Sequence, residues 1–258
     1  MKFNKFLVTC LWFNLVINAQ VMVAQTMKFK EGKQSVSFQS DDGLTIQGDL
    51  YMTANAGAPF ILLFHQAGYS RGEYLETAPK LNHLGFNCLA IDQRSGNEVN
   101  GIVNSTFAEA RKKSLGTEYI DAFPDLEAAL NFVIKTIHPQ KLLILGSSYS
   151  ASLCFILARK YPNNIDGVLA FSPGEYLTYE GKSIQDFAKE VKCPVFITSA
   201  RSETNHWSAI YSALPSNEKQ GYIPTVAGVH GSKTLWKSNA GNEVYWSEVE
   251  KFLNCFKE

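Results

Sequence analysis

Ser148 lies in the segment Leu142-Leu143-Ile144-Leu145-Gly146-Ser147-Ser148-Tyr149-Ser150, and Ala151 to Ala158 continue it as a mostly apolar run. An apolar run, a group of small residues and a second apolar run predict a strand, a tight turn and a helix. A serine at the apex of such a turn presents its hydroxyl as a nucleophile. The turn requires small residues two positions to either side, where the chain passes close to its neighbours. Gly146 and Ser150 fill those places, Ser150 departing from the more usual glycine by one hydroxymethyl group. Ser147 and Ser150 are rival nucleophiles, but only Ser148 stands between the two small residues. The competing reading is an ordinary strand-to-helix turn, against which the two flanking runs weigh. The same turn places the Tyr149 N–H at a helix start, facing the position where a tetrahedral oxyanion would form.

A serine hydroxyl is a weak nucleophile until a base takes its proton, so a histidine oriented by a carboxylate must follow. Five histidines compete. His65 ends a predicted strand, His83 lies on a predicted helix, His138 precedes Pro139, and His206 follows the predicted strand at Val195. His230 stands in Val226-Ala227-Gly228-Val229-His230-Gly231-Ser232, a glycine-flanked loop after a last strand predicted at Tyr222 to Val226, and is the candidate base. The acid is expected after the preceding strand, where Glu203 is the available carboxylate; Glu175, after Phe171-Ser172-Pro173-Gly174, is the reserve. Pairing of Glu203 with Arg201 at the surface is the alternative for that residue. The chain order is serine, acid, histidine.

These segments together resemble an α/β-hydrolase of the dienelactone-hydrolase or small-esterase kind, in which that order is found. His65-Gln66-Ala67-Gly68 resembles the family's His-Gly oxyanion loop, and Asp92-Gln93-Arg94-Ser95-Gly96 its Asp-x-Arg-Gly turn. The Ser148, Glu203 and His230 segments resemble its triad. The likeness runs from about residue 35 to residue 258. It implies an oxyanion hole from the Ala67 and Tyr149 amides, with Gln66 standing where the family has glycine. With serine at the nucleophile position, in place of aspartate or cysteine, the implied chemistry is acyl transfer to water. The expected substrate is a small or soluble carboxylic ester, with no metal or organic cofactor. Two other readings compete: a peptidase or acyl-peptide hydrolase relative, and a non-catalytic binding protein on a decayed scaffold, motivated by Ser150, Gln66 and the glutamate acid.

Positioning such a site takes a sheet. Residues 35–40 and 44–52 alternate apolar with polar around Asp41-Asp42-Gly43, which predicts a hairpin. Beyond Pro59 the short apolar runs 60–64, 86–91, 142–145, 168–171 and 195–198 predict strands buried on both faces. Helical spacing over 73–84, 125–137, 151–161 and 184–191 falls between them. The alternation predicts an α/β fold with right-handed crossovers, doubly wound around a mostly parallel central sheet. Residues 172–194 leave little room for a large cap, so little or none is expected, and the acyl pocket should be open and shallow. Residues 94–116 read as a long irregular stretch after a strand.

The whole chain has 258 residues with 24 basic and 24 acidic side chains, a balance that attracts neither nucleic acid nor an anionic membrane surface. Met1, Lys2 and Lys5 precede an apolar run over 6–19, and Ala19 and Ala24 are each followed by Gln. That pattern predicts a signal peptide over 1–24, with export to the periplasm or medium, and a hydrolase domain over 25–258. Cys10 lies in the middle of the apolar run, which argues against lipidation there. Cys88, Cys154, Cys193 and Cys255 are scattered, which argues against a structural zinc site.

Overall fold

A computed structural model describes residues 29–215 and 217–257; the predicted leader lies outside them. The predicted hairpin is formed by strands β1 (Gly32–Gln39) and β2 (Thr45–Met52), antiparallel in the register Ser37↔Gln47 and Gln39↔Thr45. The strands β3 (Phe60–Phe64) and β4 (Asn87–Ile91) follow, and a two-residue pair, β5 (Glu98–Val99) and β6 (Ile102–Val103), lies outside the main sheet. Next come β7 (Leu142–Ser147), β8 (Gly167–Phe171), β9 (Val195–Thr198) and β10 (Lys219–Tyr222). The eight-stranded sheet has the order β1-β2-β4-β3-β7-β8-β9-β10. From β4 to β10 every pairing is parallel.

Among the described residues, seven α-helices connect and cover these strands: α1 (Thr77–His83), α2 (Ser105–Lys112), α3 (Phe123–Thr136), α4 (Tyr149–Lys160), α5 (Ile184–Ala188), α6 (Thr204–Ala213) and α7 (Asn242–Asn254). Side chains alternate across a strand, so each buried strand feeds two cores. Leu62, Ile144, Val168 and Ile197 point into one core with α3, α4, α5 and α6. Their neighbours Leu63, Leu145, Leu169 and Phe196 point into the other with α1 and α7. This is the doubly wound α/β class. The chain turns one way after β3, through α1 to β4, and the other way after β7, through α4 to β8. The strand order therefore reverses between β3 and β7, and the crevice at their carboxyl ends is where such sheets place ligands.

Three sequence expectations need correction. The last strand is Lys219–Tyr222, not Tyr222 to Val226: Pro224 has no N–H to donate to a ladder, and the polar segment before it forms the sheet edge. Residues 94–116 are not irregular, for they hold the β5–β6 pair and α2, whose first turn is capped by the Asn104 side chain accepting from Phe107 N–H at 2.8 Å. The helix expected over 73–84 is split into a 3₁₀ turn, Arg71–Tyr74, and α1. The polar helices α6 and α7 have no counterpart in the sequence reading.

Candidate active site

Ser148 sits between β7 and α4 with φ 60° and ψ −124°, a conformation that L-residues rarely adopt and that costs on the order of 1–3 kcal/mol. The surroundings hold it there. Its N–H donates to the Phe171 carbonyl at 2.8 Å, and its carbonyl accepts from Ala151 N–H at 2.9 Å. A Cβ on Gly146 would stand 2.6 Å from the Ala151 backbone, so the turn has no space for a side chain there. Ser150 fits because its hydroxyl has partners: it donates to the His65 carbonyl at 2.5 Å and accepts from Gln93 Nε2 at 2.7 Å. The departure from glycine thus ties the turn to the β3 loop.

The structure brings Ser148, His230 and Glu203 together from three loops at the carboxyl edge of the sheet. The Ser148 hydroxyl donates to His230 Nε2 at 2.8 Å, and His230 Nδ1 donates to Glu203 Oε1 at 2.7 Å. A carboxylate only accepts, so it fixes the proton on Nδ1 and leaves Nε2 free to take the serine proton. Burial opposes ionisation of Glu203, but hydrogen bonds from His230 and Ser172 outweigh it, and the carboxyl group is held below its ordinary range. Ser172 is a site residue that the sequence reading passed over. Its hydroxyl donates to Glu203 Oε2 at 2.7 Å and accepts from Gly231 N–H at 2.9 Å, joining the acid to the histidine loop. Its position just past β8 was the available signal. Gly231 has φ 75°, and a Cβ there would meet Gln66 Oε1 at 2.4 Å and Ser147 Oγ at 2.5 Å. That close approach requires glycine.

The reserve acid has a different task. Glu175 accepts Ile184 N–H at 2.7 Å and Gln185 N–H at 2.8 Å, capping α5, and so is excluded from the relay. Arg201 donates to the Thr225 carbonyl at 3.3 Å and leaves Glu203 to the histidine. Among the other histidines, His83 and His206 are exposed on α1 and α6, and His138 occupies a turn with φ 54°.

His65 is fully buried beside the site. Gln93 N–H donates to its Nε2 at 2.9 Å, so Nδ1 carries the proton and donates to the Gln66 carbonyl at 2.8 Å. Burial drives the imidazole pKa down to about 4, in keeping with a neutral ring. Tyr69 N–H donates to the same carbonyl at 3.2 Å. Two donors pin one edge of the Gln66–Ala67 peptide, and in a trans peptide the Ala67 N–H points from the opposite edge. Neither the Ala67 nor the Tyr149 N–H has an acceptor among the described residues. Two free amides on the β3 loop and at the start of α4, beside a serine with a base in place, form an arrangement able to hold an oxyanion. Tyr119 stacks on Tyr149 at 4.8 Å, bringing aromatic surface to this edge.

Residues 59–188 match a family model described as alpha/beta hydrolase fold. No curated protein matches the sequence. Among solved structures, the chain is similar to the esterase Pf2001 of Pyrococcus furiosus, with TM-score 0.68 and 16% identity over 88% of this chain and 94% of that one. It is also similar to a dienelactone hydrolase from Anabaena variabilis, with TM-score 0.69 and 15% identity over 89% of this chain and 100% of that one. A third similar structure is Est1E from Butyrivibrio proteoclasticus with ferulic acid bound, at TM-score 0.63 and 15% identity over 86% of this chain and 98% of that one.

Proposed function

The chain belongs to the alpha/beta hydrolase fold family, and from that premise we propose that it is a serine hydrolase acting on carboxylic esters of small or soluble substrates. The observation that carries this reading is the hydrogen-bonded series from the Ser148 hydroxyl through His230 to Glu203. In the proposed reaction Ser148 Oγ attacks the ester carbonyl carbon while His230 Nε2 takes its proton. The carbonyl oxygen, now an oxyanion, accepts from the Ala67 and Tyr149 amides. Collapse breaks the bond to the alcohol, which leaves with the proton from His230, and an acyl-enzyme remains on Ser148. Water then adds to the acyl carbon, giving its proton to His230; that proton returns to Ser148 as the acid departs. Glu203 holds the imidazolium throughout. The esterases and the dienelactone hydrolase among the similar structures support ester substrates.

Two of the three departures that motivate a non-catalytic binder weigh less once their partners are counted. Ser150 is bonded on both sides, and Glu203 reaches His230 with its second oxygen also satisfied. Export follows as part of the proposal from the leader pattern. A fluorophosphonate probe and an acetyl ester on the chain lacking residues 1–24 test the reading. The wild type should label and turn over, and Ser148→Ala should abolish both. A folded wild type that stays unlabelled and inactive would return the binder to first place.

A further inference from the structure

Glu73 is a carboxylate with no solvent exposure and no role in the chemistry proposed above. It lies in the 3₁₀ turn after the β3 loop, and its donors come from two different segments of the site. Oε2 accepts the Gln66 N–H at 2.7 Å, one residue before the Ala67 amide. Oε1 accepts the Ser232 hydroxyl at 2.6 Å, two residues after His230. The Ser147 hydroxyl, next to the nucleophile, lies against the same carboxylate and accepts Ser232 N–H at 2.8 Å. All these donors are neutral, and among the described residues no lysine, arginine or histidine forms an ion pair with Glu73. Burial raises its pKa, and Lys233 opposes that weakly.

A buried carboxylate served only by neutral donors is a costly way to fill space, since an apolar side chain would pack there without desolvating a charge. What the carboxylate adds is registration. It accepts from both the β3 loop and the histidine loop, and Ser232 of the histidine loop in turn donates its N–H to Ser147 in the nucleophile turn, segments which no strand ladder joins at that level. We propose that Glu73 is a positioning residue of the hydrolase, a central acceptor that fixes the oxyanion amides, the serine and the histidine relative to one another. The inference rests on the serine-hydrolase reading, because it assigns Glu73 a task only if those groups react.

The isosteric Glu73→Gln replacement keeps the volume but must turn an NH₂ toward one of the donors. With active sites counted by fluorophosphonate titration, it should lower kcat by about tenfold or more while KM stays within about twofold, because ground-state binding does not need the lost registration. The thermal midpoint should be unchanged or higher. Ser232→Ala, which buries no new polar group, should lower kcat several-fold, and the two losses should not multiply in the double variant, since both break one contact. A folded Glu73→Gln or Ser232→Ala chain with wild-type kcat would overturn the proposal, as would multiplying losses or a lowered kcat explained by a smaller titrated fraction. If the wild type neither labels nor turns over, the parent reading fails and this one with it. An active wild type matched by its Glu73→Gln variant sinks the Glu73 assignment alone.

Discussion

His65 shows how one buried side chain serves the site without touching a reacting atom. Its neutral ring accepts the Gln93 N–H and donates to the Gln66 carbonyl, and a second proton on Nε2 would set two N–H groups against each other. Burial lowers its pKa to about 4, against about 6.5 for a free imidazole. Over that window the unfolded chain binds a proton that the folded chain refuses. Acidification therefore costs stability as pH falls from about 6.5 to about 4, by up to about 3 kcal/mol, and no more below it. Asp125, which burial pushes up to about 6 despite its bonds with Arg94, has the opposite sign over much of this range, because its folded form keeps a proton that the unfolded form releases. A bulk unfolding curve blends the two, whereas imidazole nitrogen shifts read His65 alone. At about pH 5 those shifts should show His65 neutral with the proton on Nδ1. A charged ring at that pH, or an Nε2–H tautomer, would contradict the fixed Gln66–Ala67 peptide.

At the scale of elements, the turn between β7 and α4 carries a test that runs against the pattern it resembles. Restoring the more usual glycine by Ser150→Gly removes the hydroxyl between the His65 carbonyl and Gln93 Nε2. It also adds backbone freedom in the first turn of α4. The variant should lose about 1–3 kcal/mol in denaturant unfolding; equal or greater stability would mean that those bonds do nothing for the turn. The buried strands were legible in the sequence because four to six mostly apolar residues bounded by turn residues have few other uses: β3 and β9 fall where the apolar runs 60–64 and 195–198 place them. The polar edge strand β10 was not legible, since Lys219-Gln220-Gly221-Tyr222 has neither apolar run nor alternation, and only its parallel pairing with β9 makes it a strand. Helix α6 begins immediately after the Glu203 turn, and α7 buries Tyr245, Trp246, Val249, Phe252 and Leu253 along one face while Glu243, Ser247, Glu248, Glu250 and Lys251 lie on the other. Of the site, the serine turn and the glycine-flanked histidine announced themselves locally. Ser172, Glu73 and Gln93 did not, because their significance lies in contacts between segments tens of residues apart.

The whole molecule sets the size of substrate that the proposed reaction can use. A cavity of about 800 Å³ lies at the amino ends of the strands, lined by Lys141, Asp166, Pro194 and Lys219 with Phe252 and Phe256 from the end of α7. Ser148 lies at the opposite, carboxyl edge, so that cavity offers nothing to an acyl chain. Between β8 and β9 the chain places only the five-residue helix α5, capped by its own Ser183–Asp186 box and by Glu175, and not a cap domain over the serine. His230 is correspondingly open, with 36% of its side chain exposed. In a deep apolar tunnel each added methylene would be buried, gaining about 0.8 kcal/mol, or roughly fourfold in kcat/KM if all of it were expressed in the transition state. On an open edge that gain ends once the chain leaves the protein surface. Across p-nitrophenyl esters kept below their aggregation limits, kcat/KM should rise modestly from acetyl to butyryl and then level or fall by octanoyl. A steady rise of about fourfold per methylene through the longer chains would require a buried acyl channel, and would refute both the open site and the preference for small, soluble esters.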